Sequence, residues 1–142
     1  MKFVDNFRVE ERSCTTCELF YKDQSLGMSL EGCKLELAVH YNHSTYLFFV
    51  TYDCPFEETL TVMLIDIDQK KVIDLFWIGR MYQTDWLTGC RILNDKQISF
   101  EFLREKPWVL TIHEKMRFNF KGIPLFSSVC HHFWFKTRLK IK

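Results

Sequence analysis

The chain has 142 residues, 47% hydrophobic and 26% charged, with five Gly, three Pro and a formal net charge of +1. That is enough for one domain, residues 1–142, with a core that needs no staples, and it excludes disordered, collagen-like and low-complexity chains. The 16% aromatic content, fourteen Phe among them, favours the pleated, half-buried surface of strands.

The opening "MKFVDNFRVEER" is charged throughout and starts at Met1, with no apolar leader. The longest apolar runs, "YLFFV" and "LFWI", are far too short to span a bilayer, so a cytoplasmic protein without membrane segments is expected. In that compartment the six cysteines should stay reduced. Cys14 and Cys17 form a C-x-x-C pair that could recruit Cys33 and one of Cys130, His131 or His132 around zinc. A structural zinc site commonly uses two close pairs, however, and the second half lacks that spacing. Redox chemistry would need the pair at the start of a helix that follows a strand, whereas "ELFYKD" reads as a short strand. Buried thiols acting as small hydrophobes, with no metal and no cofactor, are the expectation.

Phe20–Leu30 is a place where a helix competes with a loop. "KLELAVHY" then alternates Leu35, Leu37, Val39 and Tyr41 against Lys34, Glu36, Ala38 and His40, a strand with one face in the core. "NHS" turns it into "TYLFFVTY". "ETLTVMLID" and "VIDLFWIG", separated by "DQKK", form a second hairpin whose short apolar runs predict burial on both faces. "RMYQTDWLTG" offers a loose helical turn ending at Gly89.

"CRIL" and "DKQISFEF" follow as strands, with Ile98, Phe100 and Phe102 inward. "WVLTIHE" and "MRFNFKG" look like a further pair, and in "HHFWFKTRLKIK" Phe133, Phe135, Thr137, Leu139 and Ile141 alternate with Trp134, Lys136, Arg138, Lys140 and Lys142. The fold class is therefore all-β, or β-rich with one short helix. About eight or nine strands form an antiparallel meander that closes into a sandwich or half-open barrel.

No G-x-S-x-G, H-E-x-x-H or phosphate-binding glycine motif occurs, so no nucleophile, metalloprotease helix or phosphate cradle can be placed. The enzyme alternative is a small metal-independent ribonuclease using His113 with His131 or His132, since acid and base histidines on neighbouring strands need no local motif. The charge map says more. Asp53, Glu57, Glu58, Asp66, Asp68 and Asp74 face only Lys70 and Lys71 within their stretch, whereas Lys115 to Lys142 holds seven basic residues and no acid. Two surfaces are expected from it. Asp53, Phe56, Glu57, Glu58, Asp85 and Trp86 suit a basic protein partner, although most of the aromatics Tyr52, Phe56, Trp77, Tyr82 and Trp86 are expected in the core. Arg117, Lys121, Trp134, Lys136, Arg138 and Lys140 would make a basic stripe for nucleic acid, or a solvated edge strand whose lysines block aggregation.

Size, compartment and the absence of a catalytic signature favour a protein-binding module. The most concrete form is an immunity or antitoxin type inhibitor that covers the active site of a toxin enzyme such as a nuclease, its carboxylates matching a cationic cleft. A nucleic-acid-binding β domain is the second reading. A barrel around a small apolar ligand is a weaker one, suggested only by the aromatic load.

Overall fold

The computed structural model describes residues 1–103, 106–118, 129–131 and 136–142. Among them are thirteen β-strands and no helix, in three antiparallel sheets, none closed into a barrel. The strands are β1 (Lys2–Val4), β2 (Phe7–Ser13), β3 (Thr16–Tyr21), β4 (Gln24–Glu31), β5 (Lys34–Asn42), β6 (Thr45–Thr51), β7 (Thr59–Asp66), β8 (Lys71–Gly79), β9 (Thr88–Asn94), β10 (Gln97–Glu101), β11 (Trp108–Phe118), β12 (Val129–His131) and β13 (Lys136–Ile141). A six-stranded sheet in the order β1-β5-β6-β7-β8-β12 lies between a three-stranded sheet, β2-β3-β4, and a four-stranded sheet, β13-β11-β10-β9.

The middle sheet is covered on both faces, which explains why its strands read as continuous apolar runs. Val39, Leu47, Phe49, Leu60, Val62, Leu64, Phe76 and Ile78 pack against Ile98, Phe100, Leu110, Ile112 and Leu139 of the four-stranded sheet. Their neighbours Ala38, Phe48, Val50, Met63, Ile65 and Leu75 pack against Phe7, Cys17, Leu19, Met28 and Leu30 of the three-stranded sheet. Phe48 and Phe49 are both 0% exposed and send adjacent rings into opposite layers, each stabilising the fold by about 1.5–3 kcal/mol. The two-sided burial expected of β7 and β8 is thus seen, as are the two hairpins β5–β6 and β7–β8 and the inward Ile98, Phe100 and Phe102.

Neither candidate helix forms. Within Phe20–Leu30, Lys22 (φ 46°) and Asp23 (φ 63°) make a hairpin turn that needs two left-handed residues. Beyond it Leu26, Met28 and Leu30 point inward at a spacing of two. "RMYQTDWLTG" is an irregular loop running into β9, and Gly89 (φ 63°) sits where a Cβ would lie 2.8 Å from the Glu101 carboxyl carbon. "WVLTIHE" and the start of "MRFNFKG" are not a hairpin pair but one strand, β11. Its ladder with β13 jumps from Ile112–Leu139 to Arg117–Thr137, so His113 to Met116 bulge out of register instead of turning back.

Polar contacts join the layers on both sides of the middle sheet. Trp77 Nε1 donates to Glu31 Oε2 at 2.8 Å, tying the middle sheet to the three-stranded one. On the other side the buried Asp74 carboxylate accepts Arg138 N at 2.6 Å and Leu139 N at 2.8 Å through Oδ2, and Leu75 N at 2.9 Å through Oδ1.

Candidate functional site

Thr59 pairs with Gly79 across β7 and β8, so the loop 52–58 that enters β7 and the loop 80–87 that leaves β8 emerge side by side at one end of the middle sheet. Backbone and side-chain bonds lace them together. Glu58 N donates to Gln83 O at 3.0 Å, and Thr84 Oγ1 to Cys54 O at 3.4 Å. Glu58 itself turns inward, 7% exposed, and its carboxylate accepts Tyr52 N (2.8 Å), Cys54 N (3.0 Å) and Thr59 N (2.9 Å). Asp85 anchors the second loop, accepting Leu103 N at 2.6 Å and Trp86 N at 2.8 Å.

These anchors leave large apolar side chains in solvent. Phe56 is 82% exposed, Met81 72%, Tyr82 85% and Trp86 73%, a concentration that marks a contact surface more than scattered surface apolars do. Asp53 (φ 56°) and Tyr82 (φ 60°) both hold left-handed backbone, which costs on the order of 1–2 kcal/mol for a residue with a Cβ. Beside the aromatics a cleft of about 400 Å³ is lined by Lys34, Glu36, Asp53, Cys54, Asp85 and Trp86 among others. Asp53 and Glu57 are exposed at the surface. Lys34 is paired with Glu36 at 3.0 Å, and that pair raises the lysine pKa, the hydrogen bond being the larger cause.

The structure therefore gathers all six residues of the acidic, aromatic prediction, and it corrects their roles. Glu58 and Asp85 hold the loops instead of offering free carboxylates. Phe56, Tyr82 and Trp86 are exposed, contrary to the expectation that most aromatics here are core, whereas Tyr52 and Trp77 are half-buried. Nor is the acidic stretch one surface. Asp66 caps its own turn through Ser44 Oγ, Asp68 N and Gln69 N, with its pKa lowered chiefly by the Gln69 bond, and Asp74 is buried between layers. Met81 and Arg80 belong to the loop surface; the sequence pattern places Met81 only on a loose helical turn, because nothing in it separates an exposed methionine from a core one.

On the outer face of the four-stranded sheet Lys140 is exposed, Arg117 is exposed where β11 rejoins the ladder after its bulge, and Arg138 is half-buried with its Nε donating to His113 O at 2.7 Å. Lys136 enters the ladder opposite Phe118, but its side chain, like Lys121 and Trp134 entirely, lies outside the described residues. Arg91 and Lys96 join this face and were missed, being remote in sequence; Lys96 pairs with Glu114 at 2.6 Å. The histidine pair of the ribonuclease reading is not assembled by the described residues, since His132 and the His131 side chain lie outside them.

The Cys14–Cys17 pair sits on the β2–β3 hairpin with Cys14 exposed and Cys17 in the core. Burial, with the neighbouring Cys33 second, pushes the Cys17 thiol up to about 11, so at neutral pH it is a small hydrophobe. Among the described residues no three His, Cys, Asp or Glu are grouped to hold a metal ion. In native protein, Cys14 and Cys130 should react with an aromatic disulfide reagent at once and Cys17 only on unfolding, as stopped-flow absorbance at increasing urea will show. Fast labelling of Cys17 without denaturant would contradict this packing. No protein-family model, curated protein or solved structure matches this chain.

Proposed function

We propose that this chain is a cytoplasmic, non-enzymatic protein-binding module, an inhibitor of immunity or antitoxin type that covers the basic active-site cleft of a toxin enzyme such as a nuclease. The observation that carries the reading is the set Phe56, Met81, Tyr82 and Trp86, each more than 70% exposed on two mutually braced loops. Large aromatics held on a pinned backbone lose little freedom on binding and supply most of an interface's energy. Asp53 and Glu57 alongside them would attract a cationic cleft and raise the association rate. Chemistry on substrate is not required of any of these groups.

The test is co-expression with candidate toxin nucleases, followed by growth rescue and calorimetry on the captured pair. Phe56→Ala with Trp86→Ala should weaken binding by more than about 2 kcal/mol. Glu57→Lys should chiefly slow association, costing on the order of 1–2 kcal/mol and losing its effect at high salt. Arg117→Glu with Lys140→Glu should leave this complex intact. If the charge reversals on the four-stranded sheet abolish rescue while the loop variants do not, the contact surface is elsewhere and the reading fails.

A further inference from the structure

The bulge in β11 makes a second site, on a different sheet and independent of the loop surface. Between Ile112 and Arg117 β11 advances five positions while β13 moves back only from Leu139 to Thr137, so three surplus residues are thrown outward. They form the wall of a cleft of about 270 Å³, lined by Lys96, Thr111, His113, Glu114, Lys115 and Arg117. Lys140 stands directly opposite Thr111 in the ladder. The Arg138 guanidinium grips the His113 carbonyl at 2.7 Å and holds the bulged backbone in place.

Two features of this cleft are incomplete in the protein alone. Among the described residues Lys115, Arg117 and Lys140 form no ion pair with a carboxylate, since the one acid on the wall, Glu114, is taken by Lys96. In addition, His113 Nε2 is shut off from solvent and has no hydrogen-bond partner. A buried, unpaired imidazole nitrogen costs stability and calls for an explanation. Concentrated cations without carboxylate partners are what an oxyanion completes.

We propose that the β11 bulge is an oxyanion site that takes a phosphate group, with Arg117 and Lys140 as its charged contacts and His113 in the wall behind them, where its imidazole feels the charge of the bound anion. Burial first, and then Arg117, Lys140 and Lys96, lower the His113 pKa from its usual value, so in the empty site the imidazole is neutral near pH 7. The groups bearing on it are Lys96 with its partner Glu114, Lys115, Arg117, the Arg138 guanidinium at its carbonyl, and Lys140. A bound anion opposes the cations and raises the His113 pKa. Binding then takes up a proton, and affinity rises as the pH falls through the bound-state value.

Sulfate is the probe of choice, because its charge stays constant over this range. Sodium sulfate is titrated into the intact protein at constant ionic strength against chloride, and the His113 imidazole C–H resonance is followed by NMR from neutral to mildly acid pH. The expected result is a saturable shift, a raised His113 pKa and tighter binding at the acid end. Arg117→Glu with Lys140→Glu should weaken binding by about tenfold or more, and His113→Gln should keep binding but abolish its pH dependence. Shifts that rise linearly with salt, that chloride reproduces, or that persist in the double charge reversal would overturn the site. A nucleoside monophosphate and a short oligoribonucleotide distinguish the sources of the phosphate. Tighter binding of the oligomer, with a salt slope that grows with the phosphates contacted, identifies a nucleic-acid backbone, and equal binding identifies a small phosphorylated ligand.

Discussion

Asp74→Ala lowers the unfolding free energy by about 3–5 kcal/mol, because it leaves Leu75 N, Arg138 N and Leu139 N without their carboxylate in the seam between two sheets. The β8 strand is built for this role. Its ladder to β7 slips between Leu64–Asp74 and Ile65–Val72, which leaves Ile73 as the extra residue. Asp74→Asn keeps the volume, but with its one oxygen accepting Arg138 N and Leu139 N its NH2 group is set against Leu75 N, so it should recover only part of the loss. Urea unfolding with an unchanged slope measures both, and amide exchange at Arg138 and Leu139 should accelerate in parallel. A loss under about 1 kcal/mol for the alanine variant would show that apolar packing alone holds the four-stranded sheet on.

Glu58→Ala costs about 2–4 kcal/mol, since three backbone donors of the 52–59 segment converge on one carboxylate that is 7% exposed. Beyond stability, the substitution frees the loop that carries Phe56, so binding to the proposed partner should fall even though Glu58 touches nothing outside the protein. Glu57 is one residue away and exposed, and Glu57→Lys should change stability by no more than about 0.5 kcal/mol. Chemical denaturation separates the neighbours, and exchange of the Tyr52, Cys54 and Thr59 amides locates the damage. Equal stability of the two variants would mean that the loop stands without its buried carboxylate.

The contrast between Glu57 and Glu58 shows where reading residues alone runs out. Adjacent acids in an acidic stretch look alike until the chain direction of Thr59–Asp66 is known, because which one turns inward depends on where three backbone N–H groups end up. The same holds for Phe56, Tyr82 and Trp86 against Phe48, Phe49 and Phe76. All are large aromatics of a kind that a β-rich core takes up, but the first three sit on loops at a sheet end, where no second layer covers them.

Periodicity by itself determined the all-β class, the β5–β6 and β7–β8 hairpins, the inward faces of β10 and β13, and the apolar runs of a sheet covered twice, because alternation and run length are local properties of a strand. It also separated an acidic half from a basic one. Only the tertiary structure decided that the described strands form three sheets, that Phe20–Leu30 turns back as a hairpin, and that "WVLTIHE" runs on as one bulged strand. The same is true of Asp74, an interlayer clasp instead of a surface acid, and of His113, which comes within electrostatic range of Arg117 and Lys140. Those outcomes depend on which distant strands lie opposite one another and on which backbone donors need an acceptor once water is excluded, and no local pattern carries that information.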